Sequence, residues 1–253
     1  MWRILEFAEL ASTNTLAAEM LARGEARHGD VIQARHQHSG RGRVAGRVWN
    51  DEPGASLLIS AVITKIPGPA HLLQYRAALA VLDALRVVAR TNNISEHDFL
   101  LKWPNDILLN RKKVCGILLE AQWSASQMRS AIIGIGVNVR QTSFPVELSK
   151  IATSLHQCGI SVEVDSVRES ILDRLGRELD EALSGNALLS RLRSELAWMS
   201  RVPALTLVSN DGNAQAQLRY EDLDDTGALL LRQPDGVVIT ARNGSLTWET
   251  LRH

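Results

Sequence analysis

Only two cysteines occur in this 253-residue chain. Cys115 and Cys158 stand far apart and share no CxxC or Cys/His spacing, which argues against a disulfide framework and against a thiolate zinc site. His36 and His38 flank Gln37, but no third ligand is spaced to join them, so no protein-built metal cage is expected. Long apolar runs are also missing, and Met1-Trp2-Arg3-Ile4-Leu5-Glu6 lacks the basic, apolar and small-residue order of a signal peptide. The expectation is a cytoplasmic protein without a membrane partner. Charge of one sign is absent too, since 28 Lys and Arg balance 28 Asp and Glu, and aromatic residues make up only 4% of the chain. The chain therefore has neither a global field nor many stacking surfaces for nucleic acid, and any anion binding must be local.

What is present is length enough for a sizeable core and for two domains of unequal size. Three glycines and three arginines alternate in Gly40-Arg41-Gly42-Arg43-Val44-Ala45-Gly46-Arg47 with no acidic residue among them. Glycine lets backbone N–H groups approach a ligand closely, and each guanidinium offers a planar donor fork suited to phosphate or carboxylate. Taken alone, the run fits an anion-binding loop, a solvated loop or an RG-type nucleic-acid contact. Its place in the chain favours a small anion, because Trp49 and Pro53-Gly54 return it directly to the apolar strand at 56–63.

Ser12-Thr13-Asn14 precedes Leu16, Ala17, Met20 and Leu21 at helical spacing, with Gly24 as the stop, and so reads as a capped helix. Strands are expected at 31–34, 99–102 and 131–139, a hairpin at 107–109 and 114–120 around the polar turn 110–113, and a long helix over 70–90. Asp165 to Leu183 predicts a helix with Ser166 and Glu169 as a capping box and Gly185-Asn186 as its end, followed by a second helix to about Met199. Beyond residue 200, turn signals at Asn210-Asp211-Gly212-Asn213, Asp224-Asp225-Thr226-Gly227, Pro234-Asp235-Gly236 and Asn243-Gly244 mark short strands. The expected fold is α+β: a mixed or antiparallel sheet faced by helices over residues 1–200, then a small SH3-like β-barrel over 201–253.

Lys102-Trp103-Pro104-Asn105-Asp106 is the second notable motif. Proline ends the strand, so Lys102 projects from a rigid terminus and supplies a point positive charge there. Alone, Lys102 reads equally as a solvated strand-end lysine, Trp103 as core, and Ser12-Thr13-Asn14 as a helix cap only.

Taken together, Ser12-Thr13-Asn14, Gln37, Gly40-Arg41-Gly42-Arg43, Gly46-Arg47-Val48-Trp49, Lys102-Trp103-Pro104-Asn105-Asp106, Lys113-Val114-Cys115-Gly116-Ile117-Leu118-Leu119-Glu120 and Gly134-Ile135-Gly136-Val137-Asn138 resemble the biotin protein ligase family in order and spacing. The resemblance spans essentially the whole chain. It departs at Val44-Ala45, where the family's Gly-Arg-Gly-Arg pattern has one residue. It implies an ATP-dependent ligase that forms biotinyl-5′-AMP from biotin and MgATP and transfers biotin to a lysine of a biotin carboxyl carrier protein. The implied biotin contacts are Ser12, Thr13, Asn14, Gln37, Arg41, Gly42, Arg43, Lys102 and Gly116, with Lys102 and Arg43 as catalytic groups. ATP or the adenylate falls to Arg41, Arg43, Trp49, Asn105 and Asn138, with Mg2+ arriving with ATP near Asp106. Because Ser12 stands so near the start of the sequence, the winged helix-turn-helix of repressor-type members, and with it a DNA partner, is not expected; a homodimer through the sheet edges is left open. The alternatives are a lipoyl or octanoyl transferase of the related family and a nucleic-acid-binding module.

Overall fold

In the computed structural model, which describes residues 2–43, 49–181, 183–209 and 212–248, the chain forms two sheets. The larger contains β1 (Arg3–Leu10), β2 (Asp30–Gln37), β3 (Ser56–Ile63), β4 (Phe99–Lys102), β5 (Asp106–Leu109), β6 (Lys112–Ser124) and β7 (Gln127–Asn138) in the order β1-β2-β3-β7-β6-β5-β4. Only β1 and β2 run parallel; the other pairs are antiparallel, so the sheet is mixed, as expected. The helices are α1 (Thr13–Ala22), α2 (Leu73–Thr91), α3 (Val146–Ser149), α4 (Val164–Asp180) and α5 (Gly185–Leu196). Strand β1 is an element that the sequence reading did not anticipate. Its burial pattern is that of an edge strand, where the apolar alternation is weak.

The strand periodicity divides the core between the two faces of this sheet. Val31, Leu57, Ile59, Ala61, Ile133 and Ile135 join the cluster with α2, α4 and α5, whereas Ile32, Val62 and Ile132 pack with Ala17 of α1. At the β5–β6 turn, Asn110 and Arg111 both adopt positive φ, 50° and 63°, which closes a two-residue connection between the strands.

Two helix boundaries differ from expectation. Helix α4 begins at Val164, one residue earlier, and its N-cap Glu163 makes no side-chain cap bond, so Ser166 lies inside the helix and no capping box forms. Asp165 instead meets Arg168 at 2.9 Å. Gly185-Asn186 opens α5 rather than ending α4, because the Ser184 hydroxyl accepts from Ala187 N at 3.3 Å and caps that helix.

Strands β8 (Leu205–Val208), β9 (Ala214–Leu223), β10 (Leu229–Arg232), β11 (Val238–Ala241) and β12 (Ser245–Thr247) form a small antiparallel sheet in the order β11-β10-β9-β8-β12. The turn signal at Asn210-Asp211 falls outside the described residues. This sheet docks on the larger unit through Gly227, whose carbonyl accepts from Tyr75 Oη at 2.7 Å and Trp103 Nε1 at 3.1 Å. Burial pushes the Tyr75 phenol up, which keeps it a donor. Arg193 adds bonds to Asp222 and to the Leu223 carbonyl, both at 2.9 Å.

Candidate active site

Three cross-strand rows build the floor of the cavity. On the α1 side of the sheet, Leu58 pairs with Gly136 and Gly136 with Gly116; Ser60 pairs with Gly134 and Gly134 with Leu118; Val62 pairs with Ile132 and Ile132 with Glu120. Apolar bulk fills the third row against α1. In the first two rows Ser60, Gly116, Gly134 and Gly136 take its place, and a cleft open to solvent forms over them.

The two floor glycines of β7 are required by what lies above them. A Cβ on Gly134 would collide with Asn14 Oδ1, and one on Gly136 would lie 2.9 Å from the Trp49 indole. Gly116 is equally constrained, with Lys113 Nζ at 2.9 Å and Trp49 at 3.1 Å from the position of its missing Cβ.

One end of the cavity is polar and buried. Ser12 caps α1 by accepting from Thr15 N at 3.4 Å, which places Thr13 and Asn14 in the first turn facing the sheet. Gln37 Oε1 accepts from Thr13 N at 2.7 Å, Ser60 Oγ lies 2.7 Å from Thr13 Oγ1 and 2.5 Å from Asn14 Oδ1, and Asn14 Nδ2 donates to Glu120 Oε2 at 2.7 Å. The Ser12-Thr13-Asn14 segment thus both caps the helix and lines the cavity.

The other end is cationic. Lys113 Nζ lies 2.6 Å from Asp106 Oδ1 and 5.7 Å from the centre of the Trp49 ring. Arg41 instead reaches α1 and β6 beside the polar end, donating to Thr15 Oγ1 at 3.1 Å and lying 3.4 Å from Glu120 Oε1. Arg43 donates to the Gly244 carbonyl, which joins the Gly/Arg segment to the smaller sheet. Residues Val44-Ala45 and Gly46-Arg47-Val48 fall outside the described residues.

Ser12, Thr13, Asn14, Gln37, Arg41, Gly42, Arg43, Trp49, Asn105 and Gly116 all line this cavity. Three expected site residues do not. Lys102 is absent from the lining; its Nζ stands 5.3 Å from the Trp248 ring centre, at the junction with the smaller sheet. Asn138 is buried, donates to the Thr153 carbonyl at 2.9 Å and also lies outside the lining. Asp106 is the ion-pair partner of Lys113, and among the described residues no three His, Cys, Asp or Glu side chains converge as a metal site.

The Lys-Trp-Pro-Asn-Asp motif therefore divides. Lys102 and Trp103 contact the smaller sheet, while Asn105 lines the cavity with its Nδ2 fixed on the Ile117 carbonyl at 2.6 Å. Lys113 lines the cavity, and the sequence reading did not single it out; its signal was its place three residues before Gly116, in the strand that supplies the floor. Cys115 points to the opposite face, where burial pushes its thiol up and leaves it without nucleophilic character.

A cavity with a polar buried end, a glycine floor and a cationic mouth, on a seven-stranded mixed sheet, defines the class. The chain belongs to the Biotin/lipoate A/B protein ligase family, whose model matches residues 6–138. Its sequence is 33% identical over 243 residues to a bifunctional ligase/repressor BirA of Bacillus spizizenii, covering 94% of this chain and 72% of that protein. It is 31% identical to a biotin–[acetyl-CoA-carboxylase] ligase of Paracoccus denitrificans, covering 90% of this chain and 94% of that one. Among solved structures, the biotin protein ligase of Aquifex aeolicus in complex with biotin and ATP superposes with a TM-score of 0.78 at 25% identity, over 98% of this chain and 99% of the other.

Proposed function

We infer that this chain is an ATP-dependent biotin–protein ligase. In the first step a biotin carboxylate oxygen attacks the α-phosphorus of ATP, supplied as its magnesium complex, and pyrophosphate leaves. In the second, a lysine amine of a biotin carboxyl carrier protein attacks the carbonyl carbon, AMP leaves with the bonding pair, and the amine loses a proton. The relatives named for acetyl-CoA carboxylase support the carrier subunit of such a carboxylase as acceptor. Dependence on ATP supports a cytoplasmic setting.

The observation that carries this reading is the pairing of opposite ends in one cavity. Ser12, Thr13, Asn14 and Gln37 form a buried polar end for a ureido group, Lys113 stands at the other end beside Asp106, and Arg41 and Arg43 line the space from the Gly/Arg segment. Bringing a carboxylate to a phosphate joins two anions, so neutralising charge at that point is the main catalytic need. We assign that task to Lys113, in place of Lys102, because Lys113 lines the cavity and Lys102 does not. Asp106 orients the Lys113 ammonium, while Trp49, Asn105 and Gly42 bound the space for the adenylate. Residues 1–200 act as the catalytic domain and 201–253 as a second domain that holds Arg43 through Gly244.

Exchange of labelled pyrophosphate into ATP tests the reading. Exchange that requires biotin and is not supported by lipoate or octanoate is expected. Exchange with lipoate or octanoate but not with biotin would transfer the chain to the lipoyl or octanoyl branch, and silence with all three would remove the adenylating activity.

A further inference from the structure

We propose that Glu120, outside the cavity lining, is the positioning residue that sets the hydrogen-bond polarity of the polar end, so that the cavity accepts a ligand carbonyl there and rejects a donor. The inference rests on the biotin-ligase reading.

It follows from counting protons. A carboxylate only accepts, so the Asn14 amide must turn Nδ2 toward Glu120 Oε2, 2.7 Å away. Its Oδ1 then faces Ser60 Oγ at 2.5 Å, and the single hydroxyl proton of Ser60 is committed to it. Thr13 Oγ1 lies 2.7 Å from Ser60 Oγ and 3.1 Å from Gln37 Oε1 and has one proton to give; with the Ser60 proton on Asn14, that proton goes to Ser60, and Gln37 Oε1 keeps the Thr13 N–H. Ser60 is fully buried and Asn14 and Thr13 nearly so, which makes a wrong orientation costly. The side-chain bonds from Thr13 through Ser60 and Asn14 then run toward Glu120, and the second N–H of Asn14 remains to offer a ligand a donor. Arg41, 3.4 Å from Glu120 Oε1, supplies the countercharge.

Without Glu120 the hydroxyl protons can run the other way, from Ser60 to Thr13 and from Thr13 to Gln37 Oε1, and Asn14 can turn Nδ2 to Ser60. A flipped Asn14 would present Oδ1 to the ligand. 2-Iminobiotin provides the probe, because at neutral pH its protonated exocyclic nitrogen donates where the ureido oxygen of biotin accepts.

The test is calorimetric titration of the full chain with biotin and with 2-iminobiotin for the wild type, Glu120→Ala and Glu120→Gln. Glu120→Ala should weaken biotin about tenfold or more and reduce the preference for biotin over 2-iminobiotin about tenfold, the scale of one buried hydrogen bond. Glu120→Gln, which still offers an acceptor to Nδ2, should hold both quantities closer to wild type. Wild-type behaviour in Glu120→Ala, or loss of both ligands in equal proportion, would overturn the proposal. Glutamine and alanine variants with equal defects would overturn it as well. Failure of the wild type to bind biotin would instead overturn the ligase reading beneath it.

Discussion

Arg43 of the Gly/Arg segment donates to the backbone carbonyl of Gly244, 201 residues away in sequence, which ties the cavity lining to the smaller sheet. On the proposed function, Arg43 also faces the adenylate. Arg43→Gly removes the fork and its charge-assisted bonds, worth about 1.5–3 kcal/mol each. The variant should still form biotinyl-AMP but release it early and label lysines of unrelated proteins. Retention of the intermediate, measured by the lifetime of bound biotinyl-AMP after gel filtration, would contradict this.

Gly134→Ala forces a methyl group into the Asn14 amide. Overpacking of this kind costs about 1–3 kcal/mol. Because Asn14 lies at the polar end, the KM for biotin should rise about tenfold or more while that for ATP stays within about twofold. An equal rise in both would place the damage elsewhere.

Tyr75→Phe deletes the 2.7 Å bond to the Gly227 carbonyl, which Trp103 still serves. The loss should be about 0.5–1.5 kcal/mol, read as a shift in the denaturation midpoint. No change would mean that the phenol is not part of the domain junction.

Asp30 links β1 to β2, since it pairs with Arg3 in register and its side chain meets Arg3 Nη2 at 2.5 Å. Burial works to raise this carboxyl, but the bonds from Arg3 and from the Arg27 N–H, with the Arg3 charge, outweigh it and hold the carboxyl below the usual range. A lowered folded-state value gives stability that is fully present above the unfolded value of about 3.9 and is lost as pH falls through the folded one. Thermal melts between about pH 6 and pH 2 should show a steeper acid loss for the wild type than for Asp30→Asn. Parallel curves would exclude Asp30 as a contributor.

Much of this was legible in the sequence because the signals were local. Ser12 caps its helix, the 56–63 run is a buried central strand, and the hairpin turns at Asn110-Arg111. The polar end of the cavity followed from short motifs whose residues lie in one helix turn and one strand. Which lysine lines the cavity did not, because it depends on which strand end meets it, and that is set by pairing between β5, β6 and β7. Lys102 ends an edge strand beside Trp248, whereas Lys113 starts the strand whose Gly116 forms the floor. Glu120 was equally hidden: its bond to Asn14 joins positions 106 residues apart.

We propose that Lys113, and not Lys102, neutralises charge as biotin is adenylated. Biotin-dependent pyrophosphate exchange by Lys113→Ala and Lys102→Ala, measured on folded protein at saturating biotin and ATP, tests it most directly. Loss of one well-placed charge-stabilising group lowers turnover by about 10²–10³, so Lys113→Ala should fall by that factor while Lys102→Ala keeps adenylation within about tenfold of wild type. Near-normal exchange by Lys113→Ala with collapse in Lys102→Ala would contradict the account and return the catalytic charge to Lys102.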